Sequence, residues 1–449
     1  MSITTSTLPP LLPSSAGLSR FANYREFRRD PTGFLLARAR EADGIARIGI
    51  GPLTVYQVTA PELVGEVLLT RHALFGRGQS ARDLQMLVGL GLLTAEGEVW
   101  RKQRRLLAPP LTKKRVARYA ASMVERTETF ASSRSDGELL DVSGGMTLVT
   151  LQIVIDSLFG VEAPAGMEAV GGLLESAADH FERLITGALR FFPRWVPSRS
   201  KFRFLRDLKE LDAMVYALID ARQRESGGGD DLLGQILEAR HEDGSAMTRT
   251  QLRDEVITMF LAGHETTALT LSFALHFLAT RPELQASLHD EVDSILGDGA
   301  ADAEKANALV RCRAVFSETL RLCPPAWLLS RLTRESTTLA GHRLPKGSTI
   351  FVSPWVMHRN PDVFDRPDEF VPDRWLSGLE SELPRFAYIP FGAGPRICIG
   401  NHFAMMEGTV VLATLLQQLR FEAPASPLKL QPSVTLRPAE PIQIRVHRR

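Results

Sequence analysis

A ten-residue loop near the C-terminal end of the chain constrains this protein more than any other stretch. It reads F-G-A-G-P-R-I-C-I-G from Phe391 to Gly400, with Cys398 between two isoleucines. Glycines permit backbone angles that other residues avoid and let a large flat group come close, and Pro395 fixes one more angle. Such a loop can point backbone N–H groups at one sulfur, which favours a thiolate. Cys398, next to Arg396, is therefore a candidate metal ligand, and a buried structural cysteine is the alternative from these residues alone.

The spacing of phenylalanine, glycine, arginine and cysteine in this loop resembles the haem-binding loop of the cytochrome P450 family of haem-thiolate monooxygenases. The resemblance implies a mainly α fold with a smaller β-rich part. We expect residues 1–20 to be a flexible N-terminal segment and residues 21–449 to form a single haem domain. By the same resemblance Cys398 ligates the iron of haem b. Other residues in and after the loop are expected to lie against the cofactor: Phe391, Gly392, Arg396, Gly400 and Ala404.

Composition narrows the class of protein further. Hydrophobic residues make up 44% of the 449 residues, enough for a large core, and the net charge of +1 predicts neither nucleic-acid binding nor a membrane surface. The three cysteines form no C-x-x-C pair, which suits a reducing cytosol and disfavours a zinc site. No apolar run approaches the roughly 20 residues that span a bilayer, and the N-terminus lacks a signal-peptide pattern. We expect a soluble, cytoplasmic protein of the bacterial type without a membrane anchor.

A second motif lies inside a long helical pattern that runs from Thr248 to about Thr280. Its centre reads A-G-H-E-T-T from Ala262 to Thr267, and a glycine, a glutamate and two threonines are all unfavourable in a buried helix. A small-residue crossing point with an outward-reaching glutamate is one interpretation. The motif also matches the family's A-G-x-E-T-T, whose groove accommodates dioxygen. The resemblance implies that Ala262 and Gly263 border the cofactor, that Thr266 hydrogen-bonds the oxygen and that Glu265 helps relay protons, while His264 receives no role.

Two further motifs are expected to support the cysteine loop. Glu318 and Arg321 form an E-x-x-R pair on an apolar helix, and Arg374 follows in a P-x-R-W stretch. E-x-x-R alone is weak, because most copies are surface pairs. The family resemblance makes these three residues a structural buttress rather than catalytic groups.

Eight basic residues and no acidic one lie between Arg101 and Arg118. A solvated helix face is the simplest interpretation, but like charges repel one another and favour an anionic partner. Trp100 and Arg104 match the family's W-x-x-x-R, which binds haem propionates, and Arg331 and Arg396 match two further propionate ligands. The remaining basic residues predict a docking face for an acidic electron-transfer protein, a ferredoxin that a separate reductase serves.

Apolar segments are expected to enclose the substrate. The resemblance makes residues 80–93 and 181–195 substrate-covering segments and residues 434–436 a last loop that touches the substrate, although core packing explains the same apolar residues. The candidate pocket residues are Leu87, Leu90, Leu261, Ala262, Trp327 and Leu328.

The motifs together predict an enzyme that inserts one oxygen atom of O₂ into a C–H bond of a lipophilic small molecule. Electrons would come from NAD(P)H through separate redox partners, since no reductase sequence follows the last strands. A peroxide-driven enzyme is one alternative, but such enzymes usually replace the acid–alcohol pair that Glu265 and Thr266 provide. A haem-thiolate sensor or electron-transfer protein is the other, although it would need no proton relay.

Overall fold

The structure, a computed structural model, describes residues 19–160, 172, 173, 176, 180, 199–224, 231–240, 244–423 and 427–449. The expected flexible segment at residues 1–20 and the substrate-covering segment at residues 181–195 therefore lie almost wholly or wholly outside the described residues. Within them the fold is mainly α with several small sheets, as the sequence predicts.

Helices make up most of the described chain. The α-helices are α1 (Ser19–Arg29), α2 (Pro31–Arg40), α3 (Pro61–Gly65), α4 (Gln79–Val88), α5 (Gly97–Leu107), α6 (Lys113–Val116), α7 (Ala120–Ser132), α8 (Val142–Val154), α9 (Arg199–Arg224), α10 (Leu232–Glu238), α11 (Arg249–Ala279), α12 (Pro282–Leu296), α13 (Ala303–Ala308), α14 (Val310–Leu322), α15 (Pro354–Met357), α16 (Leu379–Glu382) and α17 (Asn401–Gln418). Two π-helical turns, Glu66–Thr70 and Ile155–Phe159, extend α3 and α8.

The strands are short. They are β1 (Ile45–Ile50), β2 (Leu53–Val58), β3 (Phe75–Arg77), β4 (Leu139–Asp141), β5 (Leu329–Thr333), β6 (Thr337–Leu339), β7 (His342–Leu344), β8 (Thr349–Val352), β9 (Leu419–Glu422), β10 (Leu430–Pro432), β11 (Leu436–Pro438) and β12 (Gln443–Arg448).

The chain divides into two compact units. The first comprises residues up to Asp83 together with Leu320–Val371 and Ser377–Cys398, and the second comprises Leu84–Thr319, Pro372–Leu376 and Ile399–Arg449. The first unit holds the five-stranded sheet and the cysteine loop, and the second holds the long helix α11. The prediction of a single domain over residues 21–449 stays a prediction.

The five-stranded sheet of the first unit has the order β1-β2-β8-β5-β3. Two β-like runs on either side of Gly51-Pro52 predict the hairpin that β1 and β2 form, with Ile45 opposite Val58 and a φ of +55° at Gly51. β2 runs parallel to β8, and the remaining neighbours are antiparallel. Apolar side chains from this sheet and from α3 form one core, which also includes Ile389 and Ala393 from the segment that leads into the cysteine loop.

The amino-acid pattern of Leu339–Leu344 predicts a single strand, and this prediction is wrong. The segment is a hairpin in which β6 ends at Leu339 and β7 begins at His342. Ala340 and Gly341 have φ values of 49° and 76°, and two consecutive residues in the left-handed region reverse the chain tightly. The apolar residues at the two ends of this segment gave a strand pattern that hid the turn.

A buried histidine holds the approach to the cysteine loop in the first unit. The His358 Nε2 accepts a hydrogen bond from the Ile389 N–H at 2.9 Å, so the proton lies on Nδ1, which faces the Arg321 carbonyl at 3.2 Å. Burial lowers the pKa of His358 to about 3, and the ring is therefore neutral. Arg321 in turn donates to the carbonyls of His358, Pro367 and Glu369 at 2.6–2.9 Å.

The long helix α11 is the centre of the second unit. Thr248 followed by Gln251 three residues later predicts a capping box, and the helix begins there. The Thr248 side chain accepts from the Gln251 N–H, and the Gln251 side chain accepts from the Thr248 N–H. The helix ends at Ala279, just before Arg281-Pro282, and most of its residues are buried. α8 packs against it. The second unit also contains the sheet β4-β12-β9 and the hairpin β10-β11.

One segment of the described chain is long and apolar enough to cross a membrane. It spans Val142–Phe159 and corresponds to α8 with its π-helical turn, and 61% of it is buried within the protein. The expectation that no run approaches this length was therefore too strict. A core helix passes the same test of length and composition, because it too packs apolar residues on all sides.

A buried carboxyl group lies in the core of the second unit. Glu407 on α17 is fully buried, and among the residues that the structure describes neither of its oxygens has a hydrogen bond of good geometry. Burial raises its pKa to about 8, an effect that the nearby Thr267 hydroxyl opposes only in part. Glu407 therefore stays protonated at neutral pH.

The replacement of His358 by alanine should destabilise the protein by about 2–5 kcal/mol. The change removes the acceptor of the buried Ile389 N–H and a donor to the Arg321 carbonyl, and each lost buried hydrogen bond costs about 1–3 kcal/mol. Urea denaturation of His358→Ala measures this, with His402→Ala, whose side chain is exposed, as the control. A loss no larger than that of the control would contradict the assigned hydrogen bonds.

The replacement of Glu407 by glutamine should reduce the loss of stability at alkaline pH. The raised pKa of Glu407 contributes stability that is fully present below its ordinary range near 4.5 and is lost as the pH rises through about 8. The Glu407→Gln protein should therefore lose about 5 kcal/mol less than the wild type between pH 4 and pH 9. Urea denaturation across that range measures the difference. Glu283→Gln, at an exposed position, should keep the wild-type profile, and an unchanged profile in Glu407→Gln would refute the assignment.

Candidate active site

The cysteine loop lies in the first unit and closes on itself through backbone hydrogen bonds. The Cys398 N–H donates to the Phe391 carbonyl at 2.9 Å, and the Gly392 N–H donates to the Ile389 carbonyl at 3.0 Å. Between them, residues 394–396 form a single 3₁₀ turn. Phe391, Gly392 and Arg396 are half-buried, and Cys398 is exposed.

Two glycines are required for this loop shape. Gly392 and Gly394 have φ values of +69° and +71°, which favour glycine. A Cβ on Gly394 would also lie 1.8 Å from the Leu68 carbonyl oxygen, a distance that no side chain tolerates. The π-helical turn that contains Leu68 thus packs directly against the loop. This contact joins residues that are more than 300 positions apart in sequence.

The three cysteines differ sharply in environment. Cys312 and Cys323 are buried, and burial raises the pKa of the Cys312 thiol well above its ordinary value and that of Cys323 to about 12. Both are therefore held as thiols. Cys398 alone is exposed, on the loop that the sequence identifies. The structure thus leaves Cys398 as the cysteine that is available to bind a metal.

The two predicted propionate ligands of the first unit occupy the sheet and the loop. Arg331 lies on β5 between β8 and β3, is 8% exposed, and donates to the Ser330 carbonyl at 3.0 Å. Arg396 ends the 3₁₀ turn two residues before Cys398. Both guanidinium groups therefore stand on short, well-defined backbone segments.

The second unit carries the other predicted cofactor residues. Trp100 and Arg104 lie one turn apart on α5, and the Arg104 guanidinium carbon is 6.0 Å from the centre of the Trp100 ring. Gly400 precedes α17, and its carbonyl accepts the Ala404 N–H at 2.9 Å. Trp100 is almost fully buried, whereas Arg104 and Ala404 are half-buried.

The A-G-H-E-T-T motif forms an accessible strip on an otherwise buried helix. Residues 252–260 and 267–276 of α11 are all buried, but Leu261, Ala262, Gly263, Glu265 and Thr266 are partly or fully exposed. The helix continues through this strip, and the Thr266 hydroxyl donates to the Ala262 carbonyl at 2.9 Å. A Cβ on Gly263 would lie 3.2 Å from a Val154 methyl, so α8 closes the opposite side. An accessible strip in the middle of an otherwise buried helix can contact a bound molecule.

His264 lies on the buried side of the same motif. Its Nδ1 donates to the Phe260 carbonyl, and the Thr150 hydroxyl donates to the His264 carbonyl at 3.1 Å. Burial lowers the pKa of His264, so the ring is neutral. The side chain is a satisfied core histidine, consistent with the absence of an assigned role.

Glu265 has partners that the sequence analysis did not identify. Its Oε1 accepts a hydrogen bond from the Thr435 hydroxyl at 2.6 Å and from the Arg437 guanidinium at 2.7 and 3.0 Å. Both partners belong to the β10-β11 hairpin, about 170 residues away in sequence. The expected terminal loop at residues 434–436 is therefore tied to the acid of the α11 motif.

The basic run forms an exposed surface in the second unit. Arg101, Lys102, Arg105, Lys113, Lys114 and Arg118 are exposed, whereas Arg104 and Arg115 are half-buried. Arg101 pairs with Glu98, which lies just before the run. The positive charge of the run is therefore partly compensated at its first residue.

Comparisons with known proteins identify the family of this chain. The cytochrome P450 family model matches residues 13–446. Cyclooctatin synthase of Streptomyces melanosporofaciens is 34% identical over 91% of this chain and 89% of its own length. Pentalenene oxygenase of Streptomyces avermitilis is 33% identical over 92% and 90%, and cyclooctat-9-en-7-ol 5-monooxygenase of S. melanosporofaciens is 32% identical over 87% and 85%. The chain belongs to the cytochrome P450 family and is a haem-thiolate monooxygenase that uses O₂ and redox partners.

Proposed function

We propose that this enzyme hydroxylates a C–H bond of a cyclic, terpenoid-like lipophile. The observation that carries the proposal is the accessible strip of Leu261–Thr266 on the buried helix α11, which combines an apolar surface with a hydroxyl and a carboxylate. The names of three relatives support the substrate class, since they specify cyclooctatin, pentalenene and cyclooctat-9-en-7-ol. The reaction consumes O₂, two electrons and two protons and yields the alcohol and water.

The residues present fit a haem b group. An exposed cysteine on a glycine-shaped loop can give the iron its thiolate ligand, and the open strip of α11 can face a flat cofactor. Cys398 would bind the iron, while Trp100, Arg104, Arg331 and Arg396 would hold the two propionates. Phe391, Gly392, Gly400, Ala404, Ala262 and Gly263 would border the ring. When bound, a thiolate-ligated haem supplies the activation of O₂.

The protein residues on the strip would position the oxygen and deliver protons. The Thr266 hydroxyl, which donates to the Ala262 carbonyl, can rotate to donate into the open side instead. Glu265 is 16% exposed and can exchange protons with water, but its ion pair with Arg437 holds it against the terminal hairpin. Proton delivery by Glu265 would therefore require it to leave Arg437, and this makes Arg437 a positioning residue.

The exposed basic run is the proposed docking surface for the electron donor. Six exposed cations on α5, α6 and the turns around them attract an acidic protein and raise the association rate at low ionic strength. A ferredoxin, reduced by a separate reductase from NAD(P)H, has the required charge. We place the enzyme in the cytoplasm, where such donors and reduced thiols occur.

The substrate proposal can be tested by spectral titration and turnover. A panel of cyclic terpenoid hydrocarbons and alcohols is added to the ferric protein, and compounds that shift the haem spin state are then supplied with NADPH, ferredoxin and reductase. We expect a product that contains one additional oxygen atom. Electron consumption without oxygenated product from any compound that shifts the spin state would overturn the proposal.

The replacement of Cys398 by serine should abolish the thiolate signature. A hydroxyl is not an anionic sulfur ligand, so the reduced protein with carbon monoxide should lose the strongly red-shifted Soret band. The absorption spectrum measures this. Cys312→Ala removes a buried thiol instead and should retain the band. Retention of the band in Cys398→Ser would show that another group binds the iron.

The replacement of Thr266 by alanine should uncouple electron consumption from product formation. Without the hydroxyl, NAD(P)H oxidation should continue while the product per NAD(P)H falls several-fold and hydrogen peroxide accumulates. The three quantities are measured together on the best substrate of the panel. Thr266→Ser keeps the hydroxyl and should restore most of the coupling. Equal coupling in the alanine variant and the wild type would remove Thr266 from the oxygen site.

A further inference from the structure

The backbone of the loop after α4 is held by the carboxyl groups of two buried acidic residues. The Leu90 N–H donates to Asp254 Oδ2 at 2.8 Å, and the Leu92 N–H donates to Glu255 Oε2 at 3.0 Å. Both acids are adjacent on α11, and their side chains are 6% and 0% exposed. Gln103 completes the hold, since its amide donates to the Leu90 carbonyl at 2.7 Å. The loop is therefore fixed through its main chain, independently of its side chains.

Glycines allow the loop to approach α11 this closely. A Cβ on Gly91 would lie 2.1 Å from the Thr258 hydroxyl oxygen and 2.7 Å from the Asp254 carbonyl oxygen. Gly89 has a φ of +56°, and a Cβ there would lie 2.2 Å from the Asp254 carboxylate. The loop backbone thus presses directly on the helix. The side chain of Leu90, by contrast, is 53% exposed, so an apolar group is held rigidly at an accessible position.

The same carboxylate is linked to a different helix. Asp254 Oδ1 accepts a hydrogen bond from Arg253 Nη1 at 2.9 Å, and the Arg253 guanidinium also pairs with Asp212 on α9 at 2.6 Å. The Arg253 side chain is 9% exposed, and that of Asp212 is 34% exposed. A continuous chain of polar contacts therefore runs from α9 through Arg253 and Asp254 to the Leu90 amide.

We propose that Asp212, Arg253 and Asp254 form a latch that couples the position of α9 to that of the Gly89–Leu93 loop and so determines which ligands the loop admits. The inference rests on the proposed function for the view that Leu90 faces the substrate. These three residues are positioning residues, since none of them needs to touch the substrate. Asp212 accepts from Arg253 Nε at 2.7 Å and pairs with Nη2 at 2.6 Å, which orients Nη1 toward Asp254. Any movement of α9 that takes Asp212 away frees the guanidinium to rotate and so weakens its hold on Asp254.

The direction of the effect follows from charge. An Asp254 carboxylate that loses Arg253 stays in a buried place with fewer partners, which is costly. The carboxylate then gains from water, which enters where the loop leaves the helix. Loss of the Arg253 link should therefore increase local opening of the loop, while the rest of α11 stays folded.

Hydrogen exchange of the haem-loaded protein tests the latch. In Arg253→Gln we expect the amides of the Gly89–Leu93 segment to exchange at least about tenfold faster than in the wild type. The matched control is Arg249→Gln, because Arg249 also joins α11 to α9, through Asp220 at 2.6 Å, but lies at an exposed position one turn away. Exchange in that control should be unchanged. If Arg253→Gln does not fold, Asp212→Asn breaks the same link from its more exposed end.

Ligand size gives the second readout. 4-Phenylimidazole and imidazole are titrated into the ferric protein, and their dissociation constants and rates are measured from the Soret band. We expect Arg253→Gln to release 4-phenylimidazole several-fold faster while the imidazole affinity stays within about twofold. Arg253→Lys, which keeps the charge without the planar fork, should restore only part of the wild-type behaviour.

Two results would overturn the latch. One is equal loop exchange in Arg253→Gln and the wild type, or an equal rise in Arg249→Gln. The other is a change by the same factor for both imidazoles, which would indicate a general effect on the haem site. Failure to bind haem at all would instead count against the proposed function, and the exchange rates would then decide the latch by themselves.

Discussion

A single buried guanidinium organises the part of the first unit that leads to the cysteine. Arg321 has no exposed surface, and it donates to three backbone carbonyls between His358 and Glu369. A buried cation is costly unless its donors are satisfied, so this segment cannot move away from Arg321 without a large penalty. The segment contains His358, whose ring accepts a hydrogen bond from the Ile389 N–H. Phe391, the first residue of the cysteine loop, comes two residues after Ile389. The loop geometry at Cys398 thus depends on a charge far from it.

Glu318, the acidic residue of the E-x-x-R motif, likewise fixes a segment of the second unit through hydrogen bonds. Glu318 has no exposed surface, and it accepts hydrogen bonds from Arg374 at 3.1 Å and from the Trp375 indole at 2.8 Å. The predicted pair of Glu318 and Arg374 is confirmed. In both units, therefore, a buried charge fixes a segment that has little regular secondary structure, because hydrogen bonds replace the ladder that a helix or a strand would provide.

The acidic residues of α11 hold two different segments of the second unit. Asp254 and Glu255 hold the backbone of a neighbouring loop, and Glu265, about three turns later, holds the terminal hairpin through Arg437 and Thr435. Burial raises the pKa of Glu255 to about 8, whereas Asp254 and Glu265 have cationic partners. The accessible strip begins after the first attachment and contains the second, at Glu265. The Gly89–Leu93 loop and the terminal hairpin are thus both tied to the helix that bears the strip.

The sequence by itself determined the features whose information is local. The spacing of the cysteine loop, the A-G-H-E-T-T motif, the Thr248 capping box and the β1-β2 hairpin each depend on a few neighbouring residues. The family assignment followed from the first two together with the E-x-x-R, P-x-R-W and W-x-x-x-R motifs. The tertiary structure decided the partners of the charged groups. Arg437 lies 172 residues from Glu265 and Leu90 lies 164 residues from Asp254, and no periodicity or spacing in a single sequence records such pairs. Chain folding brings them together because buried charges require partners, and many sequence positions could have supplied one.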